Sequence, residues 1–137
     1  MTGARHIASV LLLTLAVTPA PSPVRAQPVQ GPEAVTITIR LSNFAFTPDR
    51  LSLRVGVPAR LHLVNESGGG HNFSAPGLFS ASTVESGSVP PNGTVEIPAG
   101  GSADVTLVPR TLGAYPVRCT HFLHSFFGMT GTIYVVG

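Results

Sequence analysis

Lysine is absent from the 137 residues, and cysteine occurs only once. All 8 basic residues are arginine, and two of them, Arg5 and Arg25, lie in a leading segment that reads as an export signal. The rest are matched by the 6 acidic residues beyond that segment, so the body of the chain is formally neutral. A neutral body lacks the electrostatic footprint that nucleic acid or an anionic membrane demands. No apolar run is long enough to span a bilayer: Ile7 to Val17 offers eleven residues, and a span needs about 20.

That short run has Arg5 and His6 before it and Val24-Arg25-Ala26, a small-residue cleavage site, before Gln27. It therefore reads as a secretory signal over residues 1–26, with a retained anchor as the lesser alternative. Cleavage leaves 111 residues, 27–137, enough for a single domain with a core of its own. The expectation is an exported protein, periplasmic or extracellular, monomeric and not inserted in the membrane once the signal is gone.

Helical periodicity, internal repeats and interdomain linkers are also missing. What is there has period two. Val35, Ile37, Ile39 and Leu41 alternate with Thr36, Thr38 and Arg40, the signature of a half-buried strand. Leu51, Leu53 and Val55 repeat it, as do Arg60 to Val64, Val95 and Ile97, Ala103 to Leu107, Tyr115 to Cys119, and Ile133 to Val135. Short strands separated by Gly, Pro, Asn and Ser predict an all-β sandwich or barrel. Phe79 to Val84 is the one stretch that suits a short helix, within a Gly-, Pro- and Ser-rich excursion from Pro76 to Gly101. Pro116 removes a ladder donor, which predicts that its strand lies at a sheet edge or breaks before Cys119.

In an oxidising compartment a lone thiol has no intramolecular partner. Cys119 then stands as a buried thiol, an intermolecular disulfide, a nucleophile or a metal ligand. Its surroundings favour the last. Cys119, His124 and Met129 lie five residues apart in one loop between two predicted strands. Thiolate and thioether are soft ligands and imidazole is borderline, a set that favours copper, and two imidazoles with a thiolate and a long axial thioether make the blue-copper arrangement. The second imidazole must come from elsewhere. His71, which follows Asn65 and the Gly68-Gly69-Gly70 run, is the natural candidate.

At this point the chain resembles the cupredoxins, the blue copper proteins of plastocyanin and azurin type. The resemblance rests on Phe44-Ala-Phe46-Thr-Pro48, Val64-Asn65, His71-Asn72-Phe73, Gly113-Ala-Tyr115, the Cys-x4-His-x4-Met loop and Gly131-Thr-Ile133-Tyr-Val135. It implies a Greek-key β-sandwich of about seven to eight strands and one type 1 copper alternating between Cu(I) and Cu(II). It implies, too, one-electron transfer without catalysis. Carried over residue by residue, the ligands would be His71, Cys119, His124 and Met129, with Asn72 the amide that ties the two ligand loops together. Phe122, Leu123, Phe126 and Phe127 would form the apolar patch on which redox partners dock.

The remaining histidines are less simple. His62 alternates with Leu61 and Leu63 and should face solvent. His121 is an extra candidate ligand, because an imidazole two residues after Cys119 competes for the same metal. Several other chemistries drop out. The glycine run is followed by no Lys-Ser/Thr pair and is no phosphate loop. A two-copper centre needs a second cysteine, and the related oxidases and nitrite reductases place His before the Cys, where this chain has Arg118. Asn65, Asn72 and Asn92 each begin an Asn-x-Ser/Thr triplet. An electron carrier is thus favoured over a copper chaperone or store with the same fold, which would display Met and His clusters, and over a metal-stiffened interaction module.

Overall fold

A computed structural model describes residues 32–86, 89, 92–124 and 126–137. The expected export signal and its cleavage point lie outside the described residues. The chain runs β1 (Val35–Ser42), β2 (Ala45–Thr47), β3 (Arg50–Arg54), β4 (Ala59–Asn65), β5 (His71–Ser74), α1 (Pro76–Ser80), β6 (Ser82–Ser86), β7 (Thr94–Ile97), β8 (Ser102–Pro109), β9 (Gly113–Arg118) and β10 (Thr130–Val136). The strands form two five-stranded sheets, ordered β2-β1-β4-β8-β6 and β3-β10-β9-β5-β7.

Alternation dictates the sandwich. Ile39, Leu41, Leu61, Leu63, Val105 and Leu107 of the first sheet point inward and meet Leu53, Phe73, Val95, Ile97, Val117, Ile133 and Val135 of the second, all buried in one cluster. Each such side chain contributes about 1.5–3 kcal/mol on full burial. The intervening residues of the first sheet face outward. His62 sits between Thr38 and Asp104 in neighbouring strands, its Nδ1 2.7 Å from an Asp104 carboxylate oxygen, and is a surface residue as its alternation with two leucines requires.

Among the described residues there are ten strands where the sequence predicts about seven to eight. The additions, β2, β5 and β6, are only three to five residues long, too short to display a period. The short helix also lies earlier than expected, over Pro76–Ser80, with Pro in its first turn, and β6 occupies the rest of the predicted helical window.

Of the two outcomes expected from Pro116, one is met and one is not: β9 ends at Arg118, just before Cys119, but it is no edge strand, being flanked by β10 and β5. Thr132, opposite Pro116, donates its amide to Asp49 on the far side of β10, so Pro116 turns its donor-less nitrogen toward β5. There it costs little, because β9 and β5 share a single paired position, Ser74 with Arg118. A cleft of about 140 Å³ lined by Ser74, Pro76, Gly77, Pro116 and Arg118 lies along this seam.

Candidate metal centre

One end of the sandwich is organised around Asn65, the last residue of β4. Its side chain is 1% exposed. Nδ2 donates to the carbonyls of Gly69, Ile97 and Pro98, and Oδ1 accepts from the backbone amide and hydroxyl of Ser67. A strand end of the first sheet is thereby tied to the end of β7 in the second, and the turn 66–70 is wound so that β5 starts at His71. Asn72 is equally buried, so the triplets at Asn65 and Asn72 are closed to glycosylation in the folded chain, whereas Asn92 is exposed.

His71 and Cys119 are 1% and 0% exposed. His71 Nδ1 is 3.0 Å from His124 Nδ1, and the Cys119 sulfur is 3.4 Å from His124 Nδ1 and 3.9 Å from His71 Nδ1. Three lone-pair donors from two separate loops thus converge within 4.8 Å of one another. Met129, fully buried, is held beside them by its backbone: its amide donates to the His124 carbonyl, and its own carbonyl accepts from Cys119 N–H. The four residues paired on sequence grounds are therefore brought to one end of the fold.

Burial, followed by the neighbouring imidazoles of His124 and His121, pushes the His71 pKa below its ordinary value. The ring is thereby kept neutral, the form in which a nitrogen can coordinate. Its Nε2 has no hydrogen-bond partner among the described residues. Two imidazole nitrogens and a thiol brought together at these distances form a ready donor set, and a soft sulfur with two borderline nitrogens suits copper.

The flanking groups fix the donors. The Asn72 amide N–H points at the Cys119 sulfur, 3.5 Å away. Asn72 Nδ2 donates to Thr120 Oγ1 and its Oδ1 accepts from Thr120 N–H, both at 2.8 Å, so the side chain does join the two ligand loops. His124 is only partly buried. Around it Phe122, Leu123, Phe126 and Phe127 are 87, 46, 80 and 57% exposed, an apolar surface and not core.

His121 lies apart from the donor cluster. Its Nε2 is 2.8 Å from a Glu96 carboxylate oxygen, and its ring centroid is 5.5 Å from that of His124. Two contributors escape a reading of the sequence. Phe44, at the tip of the β1–β2 hairpin with φ 66°, sets its ring edge-on to His124 at 5.3 Å and against Phe127 at 5.2 Å. Glu96, on β7, touches both Asn72 and His121. Phe44 lies in a segment already quoted for its family resemblance, but nothing in its spacing signals a left-handed backbone. An isolated strand glutamate carries no signal at all.

A family model described as copper binding proteins of the plastocyanin/azurin family matches residues 33–136. A search of the curated proteins by sequence finds no match. Among solved structures the chain is similar to auracyanin B, at 27% identity and TM-score 0.59, over 80% of this chain and 94% of that one. A sodium-dithionite-reduced auracyanin from the photosynthetic bacterium Roseiflexus castenholzii matches at 21% identity and TM-score 0.60, over 78% of this chain and all of that one. The fold is shared with larger proteins too. A multicopper oxidase from Aquifex aeolicus matches at 13% identity and TM-score 0.60, with this chain spanning 32% of it.

Proposed function

The chain belongs to the plastocyanin/azurin family of copper-binding proteins, and on that premise we propose that it is an exported carrier of single electrons between redox proteins, with one copper held by His71, Cys119, His124 and Met129. The observation that carries the reading is the convergence of two imidazole Nδ1 atoms and one thiol, from loops that are hydrogen-bonded to each other. Copper bound there supplies a one-electron Cu(I)/Cu(II) couple.

The chain's own residues supply rigidity and access. His71 and Cys119 sit at strand ends inside the sandwich, and the His124–Met129 turn is pinned by backbone bonds to both flanks. Such pinning limits how far the donors move when the charge at the site changes by one. His124 reaches the surface with Phe44 edge-on to its ring, and Phe122, Phe126 and Phe127 nearby offer a partner an uncharged face. Burial of Met129 speaks against a chaperone or store, in which thioethers would be displayed for exchange. Arg118 in place of a histidine speaks against oxidase chemistry on this domain. Among the described residues no helix is long and apolar enough to cross a membrane; export rests on the signal-like residues 1–26, and a mature N-terminus at Gln27 would support it.

The test is the optical spectrum of the mature protein with Cu(II). An intense thiolate-to-copper visible band, lost in Cys119→Ser and kept in His121→Ala, is expected, with reversible one-electron voltammetry. A colourless protein ends the reading.

A further inference from the structure

Two imidazoles lie within five residues of the only thiol, and both are near enough to compete for one metal. We propose that Glu96 is the positioning residue that decides between them: its carboxylate holds His121 out of the donor cluster while bracing Asn72, leaving His124 to face His71 and Cys119. The inference rests on the ligand assignment proposed above.

The argument starts from register. Asn72 of β5 pairs with Glu96 of β7, so their side chains project from the same face. Both oxygens of Glu96 are engaged. Oε1 accepts from Asn72 Nδ2 at 2.7 Å, and Oε2 lies 2.8 Å from His121 Nε2. The same Asn72 Nδ2 donates to Thr120, next to Cys119, so the carboxylate is linked to both ligand loops at once. His121 is also confined from its other side: a side chain at Gly70 would begin 3.5 Å from His121 Cε1, which places the ring over the backbone that precedes His71. With Nε2 captured and the ring edge against Gly70, the imidazole and thiol donors that converge among the described residues are His71, Cys119 and His124.

An exposed polar contact of this kind adds little to folding. Its consequence is geometric, and melting temperature is the wrong readout. The discriminating set is Glu96→Ala, Glu96→Gln and the double variant Glu96→Ala/His121→Ala, each loaded with Cu(II) and followed by visible and electron paramagnetic resonance spectra. Glu96→Gln keeps an oxygen for Asn72 and an amide donor for His121 and should match the wild type. Glu96→Ala should add a second Cu(II) species with a weakened thiolate band, and the double variant should return to one species. Identical spectra for Glu96→Ala and wild type, or a second species that persists in the double variant, overturn the proposal.

A metal-free arm separates this inference from the ligand assignment. Exchange of the Asn72 side-chain amide protons, followed by NMR, should accelerate about tenfold in Glu96→Ala and stay slow in Glu96→Gln. If the wild type itself shows no thiolate band, the ligand assignment fails and takes the copper arm with it. The amide exchange then decides the brace, and an unchanged rate in Glu96→Ala overturns it.

Discussion

Replacing Asn65 with alanine should destabilise the metal-free protein by about 3 kcal/mol. The figure follows from its contacts. Nδ2 carries two protons and spreads them over three carbonyls, of which that of Ile97 is reached in a buried setting. Two such bonds, each worth about 1.5 kcal/mol when the stranded acceptor is included, give the sum. The two bonds from Ser67 add little, since that turn is exposed enough for water to replace them. At about 4 °C per kcal/mol for a domain near 100 residues, the midpoint should fall roughly 12 °C. Urea unfolding of metal-free protein is the assay, because a bound metal adds its own linkage term to the native state. Ser67→Ala, which removes only the turn hydroxyl, is the control and should cost less than about 1 kcal/mol. If Asn65→Ala also loses less than that, or if the two variants lose equally, the bridge between the sheets is not what holds the His71 loop.

Gly93 and Gly100 both have positive φ, 68° and 66°, but a Cβ at Gly93 would lie 2.5 Å from Pro76 Cα and one at Gly100 would meet nothing within 4 Å. Gly100→Ala should therefore cost only the left-handed penalty of about 1–2 kcal/mol, and Gly93→Ala clearly more; equal losses in chemical denaturation would refute the clash. Hydrogen bonds from Arg60, then from His62, hold the Asp104 carboxyl below its usual 3.8. The unfolded chain then binds this proton more readily, so the stabilisation is present above pH about 4 and is lost as pH falls through the lower folded pKa. Asp104→Asn should flatten that part of the urea-midpoint profile, and an unchanged acid slope would show that other carboxylates govern it.

Three of the four proposed ligands share one loop at even spacing, and the fourth follows a glycine run at a strand end, so local sequence sufficed to nominate them. Glu96 could not be nominated. It lies 24 residues from Asn72, and only the β5–β7 pairing, made by four-residue strands within a Gly-, Pro- and Ser-rich stretch, sets the two side chains on one face. Phe44 escaped for a different reason: its backbone is left-handed, which sequence suggests for glycine or asparagine but not for a bulky aromatic. Pro116 rightly signalled a strand that stops before Cys119 but not its place in the sheet, because the rule against strand prolines concerns a donor, and the direction in which that donor points depends on a partner strand that is almost absent here.

The single pairing between β9 and β5 has an outcome for motion. The β5–β7 pair is joined to the rest of its sheet by one backbone position and by side chains clustered at the metal-binding end, with Pro116 unable to add a rung. His71 lies on one side of that gap, and the other three proposed ligands lie on the other. Binding a metal across it fastens the pair. Beyond the core packing of Phe73, Val95 and Ile97, only that position and a few side chains resist opening there, so local opening should cost less than global unfolding, and each tenfold rise in free metal above its Kd adds about 1.4 kcal/mol against it. Amide exchange in β5 and β7 would then follow the metal, while β4 and β8, paired along six positions, keep time with the whole molecule.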